Sequence, residues 1–172
     1  TSFGGVPAMV WQVLESADFA TRDTSSVLSI GYGGAPSAPD LVARIKQQFP
    51  KVEPSNGYGL TETSAITTQN LAEDYVAKPD SAGVAVPVCD IKVVDEKGNE
   101  LPRGQVGELW IRGPNVVKGY WNKPEATAAA ITEGAWFHSG DLVRVDDEGF
   151  VYILDRAKDM LIRGGENIYC VE

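Results

Sequence analysis

The segment NGYGLTE, residues 56–62, places an aromatic ring, a hydroxyl group and a carboxylate within five positions of one another. The glycines on either side of Tyr58 allow the backbone to approach a ligand closely, and the tyrosine offers an aromatic face. Thr61 can donate a hydrogen bond to a phosphate oxygen. Glu62 can bind a hard cation, since Mg²⁺ is often held by one or two carboxylates together with substrate phosphates. These residue types fit a phosphate and metal site, and the alternative is a glycine-rich loop with an exposed glutamate.

A second glycine segment, GYGGAP at residues 31–36, follows an apolar run that predicts a buried strand. It is not a dinucleotide fingerprint, because Pro36 occupies the position of the last glycine in G-x-G-x-x-G. It is not a P-loop either, because no Gly-Lys-Ser/Thr follows. By its spacing alone the segment is typical of a strand-to-helix turn. The alternative is a surface where a flat ring lies directly against the backbone.

The only histidine, His138, lies in WFHSGDL beside Ser139 and Asp141. A hydrolase triad is not favoured, because residues this close in sequence rarely align as nucleophile, base and orienter, and no G-x-S-x-G elbow occurs. A histidine beside aromatic residues is more often packed or exposed than catalytic. Asp141, predicted to begin a strand, could accept hydrogen bonds from two neighbouring hydroxyls such as those of a ribose. The alternative is a turn aspartate.

The segment DRAKDMLIRGGEN, residues 155–167, alternates charges over a short span. One interpretation is a solvated, flexible connector. The other is that Arg156 reaches back to a nucleotide while Lys158 or its neighbours form a hinge, since hinges are a few loop or element-terminal residues.

The elements that must position these segments alternate between strand and helix in the first half. Residues 27–34 predict a buried strand, and the S-x-x-D pair Ser37 and Asp40 predicts a capping box for a helix that ends at Pro50. A second strand is expected near Val52. This order predicts an α/β layer whose loops gather at one edge of a sheet, where such folds bind ligands.

The second half is rich in β-forming residues. The predicted strands cover residues 90–95, 106–112, 142–146 and 150–155. A short helix over 122–131 interrupts them, with Asn122 and Glu125 at capping spacing. We therefore predict an α/β plus β fold: an α/β portion over 1–80, a small antiparallel barrel or sandwich over 81–155, and a linking segment over 156–172.

Composition narrows the class of protein. The 172 residues carry a net charge of -9, which argues against a protein that coats DNA or RNA, although it leaves room for a nucleotide. Cys89 and Cys170 lie far apart and indicate neither a disulfide scaffold nor a zinc site. No apolar run of 18 residues occurs and no secretory signal opens the chain. A cytoplasmic protein is the simplest expectation.

Taken together and in this order, five segments resemble those of the AMP-forming adenylating enzymes, which include acyl-CoA synthetases, firefly luciferase and the adenylation domains of nonribosomal peptide synthetases. The segments are GGAP, NGYGLTE, GELWIRGPNVVKGYW, HSGDL and DRAKDMLIRGGENIY, and they cover nearly the whole chain. The resemblance is closest to acyl- and aryl-CoA synthetases, where endings like KDM-x-I-x-GGENIY are common.

The resemblance implies how a nucleotide would be bound. Thr61 and Glu62 would be the catalytic residues, with Thr61 on the α-phosphate and Glu62 on Mg²⁺. Tyr58 would pack on the adenine ring, and Asp141 would hold the ribose hydroxyls with the help of Arg156. The other ATP- or AMP-binding positions would be Gly33, Gly34, Ala35, Pro36, Asn56, Gly57 and Gly59.

Further roles follow from the same resemblance. Lys158 would lie at the hinge on which a small C-terminal domain rotates. Ser139 stands where the family usually has threonine and should keep the hydroxyl. The acyl pocket would be faced by Tyr32, Ala65 and Ile66. The pantetheine channel of coenzyme A would be lined by Gly164 and Gly165.

The resemblance also implies what lies outside these residues. The family's lysine-ended phosphate loop would precede Thr1, and the lysine of the C-terminal domain would follow Glu172, so we expect a part of a longer protein. That protein would use ATP, Mg²⁺ and coenzyme A to activate a carboxylic acid. Two alternatives remain: an enzyme that loads a carrier-protein thiol, and a non-catalytic nucleotide-binding segment.

Overall fold

The computed structural model describes residues 1–35, 37–132 and 134–156, together with the backbone of residues 161–163 and 166–168. Its first half contains a five-stranded sheet in the order β1-β2-β3-β4-β5. The first three strands are parallel, and the last two run antiparallel to their neighbours. The strands are β1 (Ser2–Gly5), β2 (Ser29–Gly33), β3 (Glu53–Tyr58), β4 (Thr68–Leu71) and β5 (Val84–Ala85).

Three helices accompany this sheet: α1 (Pro7–Leu14), α2 (Pro39–Gln48) and α3 (Ala72–Ala77). In α2 the apolar residues recur at helical spacing, so Leu41, Val42 and Ile45 share one buried face. The helix ends just before Pro50, which disfavours helical geometry in the residue that precedes it. The first core therefore forms between the apolar faces of these helices and the strands. Its buried members are Val10, Leu14, Ile30, Tyr32, Leu41, Val42, Ile45, Phe49, Val52 and Tyr75.

The second half contains a four-stranded antiparallel sheet in the order β6-β7-β8-β9. Its strands are β6 (Asp90–Val94), β7 (Val106–Arg112), β8 (Phe137–Val145) and β9 (Val151–Arg156), and α4 (Pro124–Ala130) lies between β7 and β8. In β7, Gly107, Leu109 and Ile111 are buried and alternate with more exposed residues, as expected for a half-buried strand. This alternation builds a second core with Phe137, Val143 and Val151.

The α/β plus β fold class is confirmed, and of the expected barrel or sandwich no closed barrel forms in the described residues. At Val151 the outer edge of β9 pairs with a segment of the first half instead of with β6. Val151 donates its N–H to the Gly83 carbonyl at 2.8 Å, and its own carbonyl accepts from Ala82 N at 2.8 Å and from Ser81 Oγ at 2.9 Å. The second sheet therefore stays open and is joined to the first half through this edge.

Both predicted capping boxes are wrong. Ala38 is the N-cap of α2 and Lys123 is the N-cap of α4, and neither cap makes a side-chain hydrogen bond. Each helix instead begins with a proline, whose fixed φ suits the first helical position. Asn122 adopts a left-handed φ of 52° and belongs to the turn before α4.

Strand boundaries also differ from expectation. The first residues form β1, a strand that the sequence patterns did not predict, and β8 begins at Phe137, five residues before the predicted start. A further antiparallel pair joins β10 (Leu161–Arg163) to β11 (Glu166–Ile168). None of the helices in the described part of the chain has the length and apolar character needed to cross a lipid bilayer.

Candidate nucleotide and metal site

The two glycine segments meet at the carboxyl ends of the parallel strands β2 and β3. Gly33 pairs with Gly57 in the sheet register, and a Cβ atom at Gly33 would lie 2.2 Å from the Gly57 carbonyl oxygen. Only glycine therefore fits at position 33. The next residue, Gly34, turns the chain away with a φ of 75° and is exposed, as is Ala35. Ligands of α/β folds bind at this end of the parallel strands.

The segment expected to form a loop is a strand as far as Tyr58. Asn56 and Gly57 lie in β3, paired with β2 on one side and β4 on the other, and both are half-buried. A Cβ atom at Gly57 would meet no other atom within 4 Å. The backbone there faces open space, which a ligand could approach closely.

Tyr58 and Asp141 are 83 residues apart and connect the two halves of the site. The Tyr58 hydroxyl donates a hydrogen bond of 2.5 Å to Asp141 Oδ2, and Arg156 Nε lies 3.3 Å from Oδ1. Asp141 is only 4% exposed. Arg156 pairs with Asp141 in the β8–β9 register, so the sheet itself places the guanidinium beside the carboxylate. Burial, and then the charge of Asp141, raise the pKa of Tyr58 above its ordinary value, so its hydroxyl remains a donor at neutral pH.

Asp141 is positioned by an irregular stretch of β8. Its N–H donates to Ser139 Oγ at 3.0 Å, and that hydroxyl donates in turn to the Leu109 carbonyl at 2.7 Å. Gly140 has a φ of 72° and donates its N–H to the Glu108 carboxylate at 2.9 Å. The Ser139 hydroxyl thus orients the backbone at Asp141, a role that its sequence context did not indicate.

His138 is packed and does not form a triad. Its ring stacks on Trp110 with a centroid separation of 4.1 Å and an interplanar angle of 10°. Among the described residues, Ser139 and Asp141 make their hydrogen bonds elsewhere, and neither is hydrogen-bonded to the imidazole. The geometry agrees with the interpretation of this histidine as a packed residue.

Glu62 lies in the tight turn that follows β3. Thr63 Oγ1 bonds to both the N–H and the carbonyl of Leu60, at 3.0 Å and 3.1 Å, and closes the turn. Ser64 and Ala65 then adopt left-handed φ values of 52° and 94°. The backbone is thereby reversed immediately after Glu62, and this reversal holds the glutamate near the end of β3.

The turn leaves Thr61 exposed and Glu62 half-buried. The Tyr120 hydroxyl donates a hydrogen bond of 2.8 Å to Glu62 Oε1, and this bond raises the pKa of Tyr120. Tyr120 belongs to the segment GELWIRGPNVVKGYW, and the sequence resemblance implied no role for it.

Glu62 can bind Mg²⁺ only if other groups, such as substrate phosphates, complete the coordination. The described residues contain no group of three or more histidine, cysteine, aspartate or glutamate side chains that could hold a metal ion alone. A single oxygen-donor carboxylate suits Mg²⁺, which keeps several waters and is completed by substrate phosphates. Within the described residues, Glu62 Oε2 accepts no hydrogen bond, so one oxygen remains available for such a cation.

The remaining predicted site residues fall into three groups. Tyr32 is 5% exposed in the first core, where it accepts a hydrogen bond of 2.8 Å from the Tyr75 hydroxyl. Ala65 and Ile66 are exposed beside the Glu62 turn. The predicted roles of all three in an acyl pocket stay predictions. Four predicted positions lie outside the described residues: Pro36, Lys158, Gly164 and Gly165.

Two surface cavities lie away from the candidate site. One, of about 300 Å³, is mostly apolar and is lined by residues of α1 and the following turn. The other, of about 400 Å³, lies beside β6 and residues 100–103. Neither is lined by Tyr58, Glu62 or Asp141, so neither belongs to the candidate site.

Comparison with known proteins places this arrangement in context. The model of the family described as AMP-binding enzyme matches residues 1–121. A feruloyl-CoA synthase of Amycolatopsis is 42% identical over 170 residues, which cover 98% of this chain and 34% of the relative. A mitochondrial medium-chain acyl-CoA ligase of Bos taurus is 39% identical, with 98% and 28% covered. The chain thus spans about a third of the length of these two curated relatives.

Solved structures agree with the sequence relatives. An amide bond synthetase from Marinactinospora thermotolerans superposes with a TM-score of 0.89 at 32% identity, over 98% of this chain and 34% of that one. An O-succinylbenzoate coenzyme A synthetase from Bacillus subtilis, in complex with ATP and magnesium, gives a TM-score of 0.85 at 34% identity, again over 98% and 34%. Because the family model, the relatives and the structures coincide over most of the 172 residues, the chain belongs to the AMP-binding enzyme family.

Proposed function

We propose that the protein containing this chain is an AMP-forming acyl-CoA ligase. In the first step a substrate carboxylate oxygen attacks the α-phosphorus of ATP, the bond between the α- and β-phosphates breaks, and pyrophosphate leaves. In the second step the coenzyme A sulfur attacks the acyl carbon of the adenylate, AMP leaves, and the thiol proton passes to solvent. The observation that carries the proposal is the meeting of Tyr58, Asp141 and Arg156 beside the glycine edge of a chain whose relatives are named CoA ligases.

The nucleoside would bind at the edge formed by the carboxyl ends of β2 and β3. The proposed adenine surface is the backbone from Gly33 to Ala35 and from Asn56 to Gly59, which is open at Gly34 and Gly57, where an added Cβ atom would meet no other atom within 4 Å. Asp141 would accept the ribose hydroxyls. Among the residues that the structure describes, each of its two oxygens has one partner, and a carboxylate can accept about four hydrogen bonds. Arg156, whose side chain is 66% exposed, remains free to contact the ligand as well as Asp141.

The phosphates would extend from this edge toward the turn that carries Thr61 and Glu62. Thr61 is exposed and can donate its hydroxyl to the α-phosphate. Glu62 would hold Mg²⁺, which neutralises phosphate charge when it is bound. The contribution of the chain to this step is positioning and electrostatic stabilisation, which the phosphoryl-transfer step chiefly needs.

The acid and its acceptor are proposed from different observations. One of the relatives is named for feruloyl-CoA and the other for medium-chain acyl-CoA, so we propose an aryl or medium-chain carboxylic acid. We propose coenzyme A as acceptor because both relatives are named for its thioesters. The structural neighbour named as an amide bond synthetase shows that this fold segment also occurs in a protein named for a different product.

We also propose the remaining features that the resemblance implies. Lys158 would act as the hinge, and Gly164 and Gly165 would line the pantetheine channel. The division at residues 80 and 155 stays a proposal, as does a cytoplasmic location, since one relative is named mitochondrial. Residues 1–172 alone should form no adenylate, because they lack a lysine-ended phosphate loop. Pyrophosphate exchange catalysed by residues 1–172 would contradict this last proposal.

The test is an acid screen with the full-length protein. AMP release and thioester formation are followed for a panel of aryl and aliphatic acids with ATP, Mg²⁺ and coenzyme A. Adenylate formation without any thioester would refute coenzyme A as the acceptor and favour a carrier-protein thiol. Absence of acid-dependent pyrophosphate exchange with every acid would refute the adenylating activity itself.

Glu62→Gln tests the metal role within the same assay. The substitution keeps the shape of the side chain and its hydrogen bond to Tyr120, and it removes the charge. Adenylation should fall by about 100-fold or more, because the lost interaction stabilises charge in the transition state. The far-UV circular dichroism spectrum should be unchanged. Unchanged activity at saturating Mg²⁺ would show that Glu62 does not serve the metal.

A further inference from the structure

Glu62 is held by a side chain from the other half of the chain. The Tyr120 hydroxyl donates to Glu62 Oε1 at 2.8 Å, across 58 residues of sequence. We propose that Tyr120 is a positioning residue that holds the Glu62 carboxylate ready for Mg²⁺. The inference rests on the proposed function and extends it to a residue outside the glycine segments.

The backbone around Glu62 is held by the same part of the chain. We call residues 113–120, which follow β7, the brace loop. Val117 donates its N–H to the Glu62 carbonyl at 2.8 Å. Asn115 Nδ2 donates to the Thr63 carbonyl at 3.2 Å, and the Asn115 carbonyl accepts from Ser64 Oγ at 2.8 Å. The brace loop therefore holds the backbone at Glu62 and just after it, and Tyr120 holds the Glu62 side chain.

Tyr120 is itself held by the start of α4. Its N–H donates to Thr127 Oγ1 at 2.9 Å, and that hydroxyl donates to the Lys123 carbonyl at 2.9 Å. Gly119 has a φ of 149°, and a Cβ atom there would lie 2.5 Å from Thr127 Cγ2, so the close contact needs glycine. Tyr120 thus sits on a backbone that α4 anchors.

The geometry of the Tyr120 contact suits metal binding by the other carboxylate oxygen. The hydroxyl engages Oε1 alone, and Oε2 accepts no hydrogen bond within the described residues. A free glutamate side chain must give up its rotamer freedom when it binds a ligand, and fixing one rotamer in advance reduces that cost. Partners that orient metal-ligating groups typically contribute 10- to 100-fold in affinity or activity. Because Tyr120 is 38% exposed, we expect its effect at the lower limit, about tenfold.

The experiment measures binding rather than turnover. The dissociation constant of α,β-methylene-ATP, which cannot release pyrophosphate, is determined by calorimetry for the full-length protein with and without Mg²⁺. The ratio of the two constants is the Mg²⁺-dependent gain in affinity. Tyr120→Phe should reduce this gain about tenfold and leave the metal-free constant unchanged. If Tyr120 had a purely structural role, its substitution would raise both dissociation constants together.

Tyr152→Phe is the matched control. Tyr152 also donates its hydroxyl to a carboxylate, Asp146, at 3.2 Å, and it lies in β9 away from Glu62. This control should keep the wild-type gain, whereas Glu62→Gln should abolish it. A wild-type gain in Tyr120→Phe, or an increased one, would overturn the inference while the proposed function stands. Absence of any gain in the wild-type protein would overturn the metal role of Glu62 and this inference together.

Discussion

Removal of the Tyr58 hydroxyl is the perturbation that tests the centre of the site most directly. Tyr58→Phe keeps the ring, which packs against the second core, and deletes only the group that donates to Asp141. The substitution therefore separates the hydrogen bond from the aromatic surface. We expect weaker ATP binding, because Asp141 loses the partner that orients one of its oxygens toward the ribose.

The magnitude follows from the burial of Asp141. With 4% exposure the carboxylate cannot exchange the lost hydroxyl for bulk water without opening the site. A hydrogen bond to a charged group contributes about 1.5–3 kcal/mol, and about 1.4 kcal/mol corresponds to a tenfold change in an equilibrium constant. Arg156 still contacts the other oxygen, so we expect the lower end of this range. The dissociation constant for ATP should rise about tenfold.

The assay is calorimetric titration of the full-length protein with ATP and Mg²⁺ in the absence of acid. Tyr75→Phe provides the matched control, because its hydroxyl donates at 2.8 Å to Tyr32 in the first core and it is fully buried. That variant should lose about 1 kcal/mol of folding stability and keep its ATP affinity. An ATP affinity in Tyr58→Phe within twofold of wild type would refute the reasoning. Equal losses of affinity in the two variants would also refute it, because they would point to general destabilisation.

Three further predictions concern the same edge. Asp141→Ala should raise the KM for ATP more than the KM for the acid in steady-state assays, and equal increases would argue against ribose binding. Gly57→Ala should leave the melting temperature unchanged but weaken ATP binding, since the added Cβ atom meets no protein atom within 4 Å. Gly33→Ala should lower the free energy of unfolding by about 3 kcal/mol, because its Cβ atom would push β2 away from β3. The reverse pattern in thermal melting and ATP titration would contradict the proposed adenine surface. Burial raises the pKa of the Tyr58 hydroxyl in the folded protein above its unfolded value of about 10. The stability that this hydroxyl contributes is therefore complete below about pH 10 and is lost as the pH rises toward the higher folded pKa. Above about pH 10 the urea midpoint should consequently fall less in Tyr58→Phe than in the wild-type protein.

Local sequence signals predicted some of the elements, but not β1, β4, α3 or β5. The apolar run before Gly33 predicted β2, Pro50 predicted the end of α2, and the β-forming residues 106–112 predicted β7. These features depend on residue types within one element, which the sequence itself gives. The same is true of the glycine segments and of the motif that contains Asp141, which pointed to a nucleotide before any contact was known.

Other features were mispredicted because local signals compete. Ser37 and Asp40 have the spacing of a capping box, but Pro39 begins α2 directly and the N-cap is Ala38. The glycines around Tyr58 suggested a loop, yet strands on both sides of β3 supply the hydrogen bonds that keep it extended. Pairing by neighbours distant in sequence outweighs the weak strand propensity of glycine.

The sequence by itself determined which side chains are available for chemistry and in which kinds of element they lie. Only the tertiary structure decided which of them meet. Tyr58 is hydrogen-bonded to Asp141, 83 residues away, and Glu62 to Tyr120, 58 residues away. Both bonds form because β3 and its turn pack against the second sheet and the brace loop. Such contacts arise from the packing of two cores and from the pairing of a single strand edge at Val151, and no periodicity within a segment encodes them.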